Sequence, residues 1–254
     1  MNSSAAISGL TAQAVIVLLA AVRLVPILAF SPPFTLVKMP AAARATTVIA
    51  IAAFLASIAV PAQGQALRDI PAALAGELAM GISLALALQF AFAMIGMAAR
   101  ALDIQAGFGL AFVIDPTTKA QMPLIGALFG YAAAAVFFAT GAPFDLLSIL
   151  ALSFERIPPG LGQGPHDLTA LLAFTGTVSV LAMGLVGLAT PVLFLIDLSI
   201  AAISRTLPQM NVLVLGFQVK ALVALIILPM TTALTGAVLV RIIRVSLEAM
   251  LRIA

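Results

Sequence analysis

Apolar residues run in long stretches along this chain rather than alternating regularly with polar ones. Six stretches stand out, at roughly residues 10–30, 45–61, 71–98, 123–142, 168–198 and 211–240. At about 1.5 Å per residue, a helix over each stretch would cross or nearly cross a hydrocarbon layer about 30 Å thick. An apolar medium forces the backbone to satisfy its own hydrogen bonds, and the alternation typical of barrel strands is absent. The pattern therefore predicts an all-α integral membrane protein with about six long apolar helical segments.

Two of these stretches are longer than a simple crossing requires. Residues 71–98 and 168–198 are about thirty residues each, and Pro191 lies inside the second, after Gly184 and Gly187. Because proline removes a backbone hydrogen bond inside a helix, we expect kinked or broken helices here rather than straight spans. No interdomain linker or low-complexity segment separates the stretches, so residues 1–254 are predicted to form a single domain.

Composition agrees with the membrane class and narrows the possible functions. Hydrophobic residues make up 63% of the chain and charged residues only 8%, against about a quarter charged in soluble domains. The net charge of +3 comes from scattered cations, so we expect no nucleic-acid partner. With no cysteine, one histidine and no known catalytic motif, nothing supports an enzyme, a metal site or a cofactor. No cation precedes the first apolar stretch, so we expect that stretch to be retained rather than cleaved as a signal peptide.

Four charged residues lie within apolar stretches: Arg23, Glu77, Asp197 and Lys220. A charge at bilayer depth costs about 2.5 kcal/mol or more, so such groups normally face protein or water. They could line a pore or an ion path, or they could pair within the protein or with partner subunits. An alternative function is a secondary transporter with a midplane coupling site at Glu77, Asp197 and Lys220. That function would favour two related halves, and no convincing internal repeat is present.

Five sequence blocks, in order along nearly the whole chain, resemble the FliR family. The blocks are SPPFTLVKMPAAAR at 31–44 following Arg23, GELAMGISLAL at 76–86, GMAARALDIQAGFGLAFVIDP at 96–116, GAPFDLLSILALSFERIPPG at 141–160 and DLSIAAISRTLPQMNVLVLGFQVK at 197–220. The last block is the most specific, with its Asp, Ser-Arg, Pro-Gln-Met-Asn-Val, Gly-Phe and Lys in order. FliR-like proteins are the export-gate membrane subunits of flagellar and related type III secretion systems.

The resemblance implies a function, a location and partners. It implies helical hairpins within a hetero-oligomeric gate, built with FliP-like and FliQ-like subunits in the bacterial inner membrane at the flagellar basal body. FlhB-like and FlhA-like export components, unfolded protein substrates and membrane lipid are the further partners expected. The gate would be the entry channel for unfolded export substrates during flagellum assembly, with no enzymatic role and no cofactor.

The resemblance also places a pore-plugging loop at residues 107–123. Bulky apolar residues alternate there with small ones, Gly107 and Gly109 permit backbone turns, and Pro116 prevents extension into a helix. The candidate plug residues are Gly107, Phe108, Gly109, Leu110, Phe112 and Met122. The alternative is a buried structural loop that packs on a neighbour.

A second group of polar residues is predicted to contact partner subunits. Pro208 is expected to stop one helix and Asn211 to cap the next, with its side chain accepting a free N–H. The candidate contact residues are Arg23, Glu77, Asp197, Arg205, Pro208, Gln209, Asn211 and Lys220. For the corner at 204–220 the alternative is an ordinary helix–turn–helix within the chain.

Overall fold

The computed structural model describes residues 2–37, 39–58, 69–108, 112–114, 121–161, 168–206 and 212–254. Within these ranges the chain forms ten helices and two short strands. In chain order they are α1 (Asn2–Phe30), α2 (Pro32–Leu36), α3 (Ala41–Ile58), α4 (Ile70–Gln105), β1 (Phe112–Ile114), β2 (Gln121–Pro123), α5 (Leu124–Ala139), α6 (Ala142–Arg156), α7 (Leu168–Val186), α8 (Ala189–Thr206), α9 (Val212–Met230) and α10 (Thr232–Ile253).

The predicted all-α membrane class is confirmed. Four helical segments are long and apolar enough to cross a membrane: Gln13–Phe30, Ile70–Gln105, Thr169–Val186 and Ala189–Thr206. Two pairs of consecutive helices are long and apolar enough only when each pair is counted as one bent span. These pairs are α5 with α6, and Gly216–Met230 with Leu234–Ile253. The described residues therefore hold four to six candidate spans, in agreement with about six apolar segments of which some are broken.

The two overlong stretches behave differently. Residues 168–198 are split, because α7 ends at Val186 and α8 begins at Ala189. Pro191 lies in the first turn of α8, where proline is tolerated because its missing N–H has no helical partner. The expectation of a broken helix is wrong for 71–98, which lies inside the uninterrupted helix α4, whereas the alternative of a kink stays a prediction. That stretch has no proline after Pro71, so no interior turn of α4 loses a backbone N–H to proline.

Helix α6 lies outside the predicted apolar stretches. It follows Gly141, whose φ of 77° places it in the left-handed region, and Pro143 lies in its first turn. Only one face of the helix is apolar and buried, through Leu146, Leu150 and Phe154 among others. A one-faced helix has a lower average hydropathy than a membrane span, so a search for long apolar runs does not find it.

A small antiparallel hairpin forms within the connection between α4 and α5. Strand β1 pairs with β2 so that Val113 lies opposite Met122 and Ile114 opposite Gln121. Strand β2 leads directly into α5 at Leu124. The connection that the sequence pattern marks as a loop thus contains regular strand pairing, and these two strands are the only ones among the described residues.

The helices form two compact units. The first consists of residues 1–90, 141–175 and 244–254, and the second of residues 91–140 and 176–243. Helix α1 packs against α3 in the first unit, and α8 packs against α9 in the second. The single domain over 1–254 stays a prediction.

Candidate functional site

A buried ion pair lies at the centre of the first unit. Arg23 of α1 is fully buried and Glu77 of α4 is 3% exposed. Arg23 Nε donates to Glu77 Oε2 at 2.6 Å, and Arg23 Nη2 donates to Oε1 at 3.1 Å. This two-pronged geometry joins a planar guanidinium to a carboxylate, which is the strongest form of charge-assisted hydrogen bonding between side chains.

The remaining polar groups of this pair are bound by α6 and the turn that follows it. Arg23 Nη1 donates to the carbonyl and hydroxyl oxygens of Ser153 at 2.9 and 2.8 Å, and Nη2 donates to the Ile157 carbonyl at 2.9 Å. The Gly160 N–H donates to Glu77 Oε1 at 3.1 Å. The guanidinium carbon also lies 4.3 Å from the centre of the Phe154 ring. We call these residues the Arg23–Glu77 centre, and they tie α1, α4 and the end of α6 together.

The close approach of α1 and α4 depends on a small residue. A Cβ atom added at Gly81 would lie 2.3 Å from the carbonyl oxygen of Arg23. No side chain larger than hydrogen fits there without moving the backbone of one helix. Gly81 therefore allows α4 to approach the turn of α1 that carries the buried arginine.

A second ion pair lies in the second unit and has a different environment. Lys220 of α9 pairs with Asp197 of α8, and their side chains are 21% and 42% exposed. Exposed apolar residues share these helices with the pair, including Phe194 at 60% and Phe217 at 47% exposure. The pair is thus a charged spot on an apolar hairpin rather than an internal centre.

The α8–α9 hairpin also has a close helix contact. A Cβ atom at Gly216 would lie 3.2 Å from the terminal methyl group of Ile200. This neighbour is the end of a flexible side chain, whereas Gly81 faces backbone. Two helices that meet over a glycine can bring Asp197 and Lys220 within reach, which their separation in sequence does not reveal.

The structure locates the other predicted contact residues only in part. Arg205 is exposed in the last turn of α8, which ends at Thr206. Pro208, Gln209 and Asn211 lie outside the described residues, so the predicted helix stop and cap stay predictions. The subunit-contact role of all eight candidates likewise stays a prediction. For Arg23 with Glu77, and for Asp197 with Lys220, the structure shows pairing within the chain.

The candidate plug residues lie on and around the α4–α5 connection. Gly107 has a φ of 84°, which an L side chain rarely adopts, and Phe108 follows it half-buried. Phe112 belongs to β1 and Met122 to β2. Gly109 and Leu110 lie outside the described residues. The plug role stays a prediction.

Ser153, Ile157 and Gly160 of the Arg23–Glu77 centre were not singled out from the sequence. They lie in the 141–160 block, and all three act through backbone groups, with Ser153 contributing its hydroxyl as well. Every residue has a backbone carbonyl and almost every residue an N–H, so no sequence motif predicts which of these groups will bind the ion pair. Only the tertiary structure identifies these three residues. Among the described residues, no group of three or more potential metal ligands converges.

Comparison with known proteins decides the family. The family described as bacterial export proteins, family 1, matches residues 14–245, which is nearly the whole chain. The chain belongs to the FliR family. The flagellar biosynthetic protein FliR of Bacillus subtilis strain 168 is 30% identical over 179 residues, which cover 68% of this chain and 69% of that protein.

Relatives of this FliR-family chain include both flagellar and secretion-system proteins. The flagellar biosynthetic protein FliR of Escherichia coli K12 is 28% identical over 152 residues, 59% of this chain and 58% of that protein. The secretion system apparatus protein SsaT of Salmonella typhimurium is 27% identical over 155 residues, 60% of each chain. The matches to these two thus span less than two thirds of their lengths. Family membership and the apolar helices together make this chain a membrane component of a bacterial export apparatus.

Proposed function

We propose that this FliR-family chain is a subunit of the type III export gate that serves flagellum assembly. It forms the entry channel for unfolded substrates together with FliP-like and FliQ-like subunits, next to FlhB-like and FlhA-like components. It lies in the bacterial inner membrane at the flagellar basal body. The observation that carries this proposal is the family match over residues 14–245.

The apolar surface of α8 and α9 supports a role inside an assembly. Large apolar side chains on both helices are more than half exposed, among them Leu198, Leu222 and Met230. The Asp197–Lys220 pair lies on the same hairpin and is partly exposed. In hydrocarbon a polar pair is better accommodated against neighbouring helices than against lipid. A helical partner would cover both the apolar side chains and the ion pair.

An export gate must block ions and yet open for a chain of any sequence. Apolar, small and flexible residues suit this task, because fixed charges in the lining would hold cargo of opposite charge. We place the plug at Phe108, Leu110, Phe112 and Met122, flanked by Gly107 and Gly109 as turning points. These residues close the channel at rest and move aside when a substrate passes.

Deletion of residues 108–113 in the assembled gate tests the plug. We expect a rise in ion conductance across vesicles or planar bilayers that contain the complex, because the apolar closure is lost. The matched control is Phe144→Ala, which removes a 75% exposed phenylalanine of α6 outside the connection. An assembled complex whose conductance is unchanged by the deletion would contradict the plug role.

A further inference from the structure

Asp103 carries a buried carboxylate. It takes part in neither of the two ion pairs found among the described residues. It lies in the last turns of α4 and is 1% exposed. Its Oδ1 accepts the Ile125 N–H at 3.0 Å, and its Oδ2 accepts the Gly126 N–H at 3.1 Å. Both carboxylate oxygens thus bind the first turn of α5, on the far side of the α4–α5 connection.

The first turn of α5 needs such an acceptor. The first N–H groups of a helix have no partner within the helix, and a Ser, Thr, Asp or Asn at the preceding position usually accepts one of them. That position is held here by Pro123, which makes no side-chain capping bond. An anion at a helix N-terminus is also favoured by the helix dipole. Asp103 therefore supplies the cap from 22 residues earlier in the chain.

The α4 end of the connection has its own anchors in the second unit. Gln105 Nε2 donates to the Thr190 carbonyl at 3.0 Å, in the first turn of α8. A Cβ atom at Gly107 would lie 2.8 Å from Cδ2 of Phe217, so the backbone there lies directly on the ring carried by α9. These contacts hold Gln105 and Gly107, where the chain leaves α4, against α8 and α9. The Asp103 carboxylate binds the other end of the connection, at the first turn of α5.

We propose that Asp103 is a positioning residue that fixes both ends of the α4–α5 connection with one buried carboxylate. The connection carries the candidate plug residues, so the effect of Asp103 on conduction rests on the proposed function. The hydrogen bonds themselves do not. With the carboxylate removed, α5 can separate from the end of α4 and the resting closure becomes leaky.

Two variants and a matched control test this proposal in the assembled complex. Asp103→Ala removes both acceptors, whereas Asp103→Asn keeps the shape and one acceptor oxygen. The control Asp145→Asn makes the same change at an exposed aspartate in the first turn of α6. The first measurement is hydrogen exchange of the Ile125 and Gly126 amides, and the second is ion conductance at equal complex yield.

We expect exchange at these two amides to become faster by about tenfold or more in Asp103→Ala, as the loss of charge-assisted hydrogen bonds implies. Asp103→Asn should lie between this variant and the wild type. Conductance should follow the same order, and Asp145→Asn should leave both measurements unchanged. This graded response at constant yield separates positioning from a general loss of folding, and Asp103→Asn alone decides the matter where Asp103→Ala does not assemble.

Unchanged exchange in both Asp103 variants would overturn the proposal, whatever the conductance. Faster exchange with unchanged conductance would overturn the positioning role. It would still show that Asp103 makes the two hydrogen bonds in the wild-type protein. The deletion of 108–113 then shows which idea has failed. If the deletion raises conductance, the plug stands and Asp103 does not position it. If the deletion also leaves conductance unchanged, the plug role itself has failed.

Discussion

The two ion pairs in the described part of the chain contrast in how completely the chain itself satisfies them. The Arg23–Glu77 centre is buried, and its charged atoms bind side chains and backbone groups of three segments. The Asp197–Lys220 pair bridges two helices and is partly exposed beside apolar side chains. The first pair is complete within the chain, whereas the second has surface left for a neighbour. Residues that look alike in sequence, as charges within apolar stretches, thus have different environments in the structure.

Breaking the buried pair should have the largest effect. We expect Glu77→Ala to lower the free energy of unfolding by about 3–5 kcal/mol, because it leaves the Arg23 cation buried without its carboxylate. Unfolding in detergent, followed by loss of helical circular dichroism, measures the change. The control is Glu155→Ala, which removes an exposed glutamate of α6. Equal stability of both variants would show that the centre does not hold the first unit together.

The glycine beside this centre offers the next largest effect. Gly81→Ala places a Cβ atom against the Arg23 carbonyl oxygen, and we expect a loss of about 1–3 kcal/mol from overpacking. Gly96→Ala is the matched control on the same helix, since nothing lies within 4 Å of its added Cβ. In the same unfolding measurement, Gly81→Ala should have a clearly lower free energy of unfolding than Gly96→Ala. Equal stability would contradict the close approach of α1 and α4.

Breaking the exposed pair should hardly change the stability of the chain alone. We expect Lys220→Ala and Asp197→Ala to cost at most about 1 kcal/mol, as for other partly exposed pairs. The larger effect should fall on the yield of the hetero-complex, because the partner loses a charged contact. Arg205→Ala, at the exposed end of α8, should lower the yield in the same way. Normal complex yield for all three variants would contradict the contact role. The Asp197–Lys220 pair would then serve only to join α8 to α9 within the chain.

The smallest effect should come from the glycine of the exposed hairpin. Gly216→Ala meets only the side chain of Ile200, with its terminal methyl at 3.2 Å and its branch methyl at an ordinary contact distance of 3.5 Å, and the terminal methyl can rotate away. The cost of that adjustment is offset by the better helix propensity of alanine, worth up to about 1 kcal/mol. We therefore expect a change in unfolding free energy near zero. A loss as large as that of Gly81→Ala would show that the hairpin is packed as rigidly as the buried centre.

The class of fold was predictable because long apolar stretches in a lipid environment leave few alternatives to helices. The break between α7 and α8 followed from the glycines and the proline of that stretch. Helix α6 was not predicted, because polar and charged residues such as Asp145, Ser148 and Glu155 interrupt its apolar side chains. The pairing of Arg23 with Glu77 was not predictable either, since these residues lie 54 positions apart. Backbone partners such as the Ile157 carbonyl and the Gly160 N–H cannot be predicted from residue type, because nearly every residue carries these groups.

The same limit applies to the candidate plug. The sequence marks Gly107 as a turning point, and its φ of 84° agrees with that role. The sequence does not show that Asp103 binds α5 across the connection, because capping by a distant residue follows no local spacing. The turn at Gly107 was therefore predictable from local chemistry, whereas the helix stop at Pro208 and the cap at Asn211 stay predictions. Contacts between distant segments required the structure.

The measurement that tests the proposed function most directly is native mass spectrometry of the tagged chain, co-expressed with its candidate gate partners and purified in mild detergent. We predict a discrete hetero-complex in which this chain is the minority subunit. A stable monomer or homodimer that ignores those partners would contradict the export-gate function. The transporter alternative, with Glu77, Asp197 and Lys220 as its coupling residues, would then be the one to test by substrate uptake.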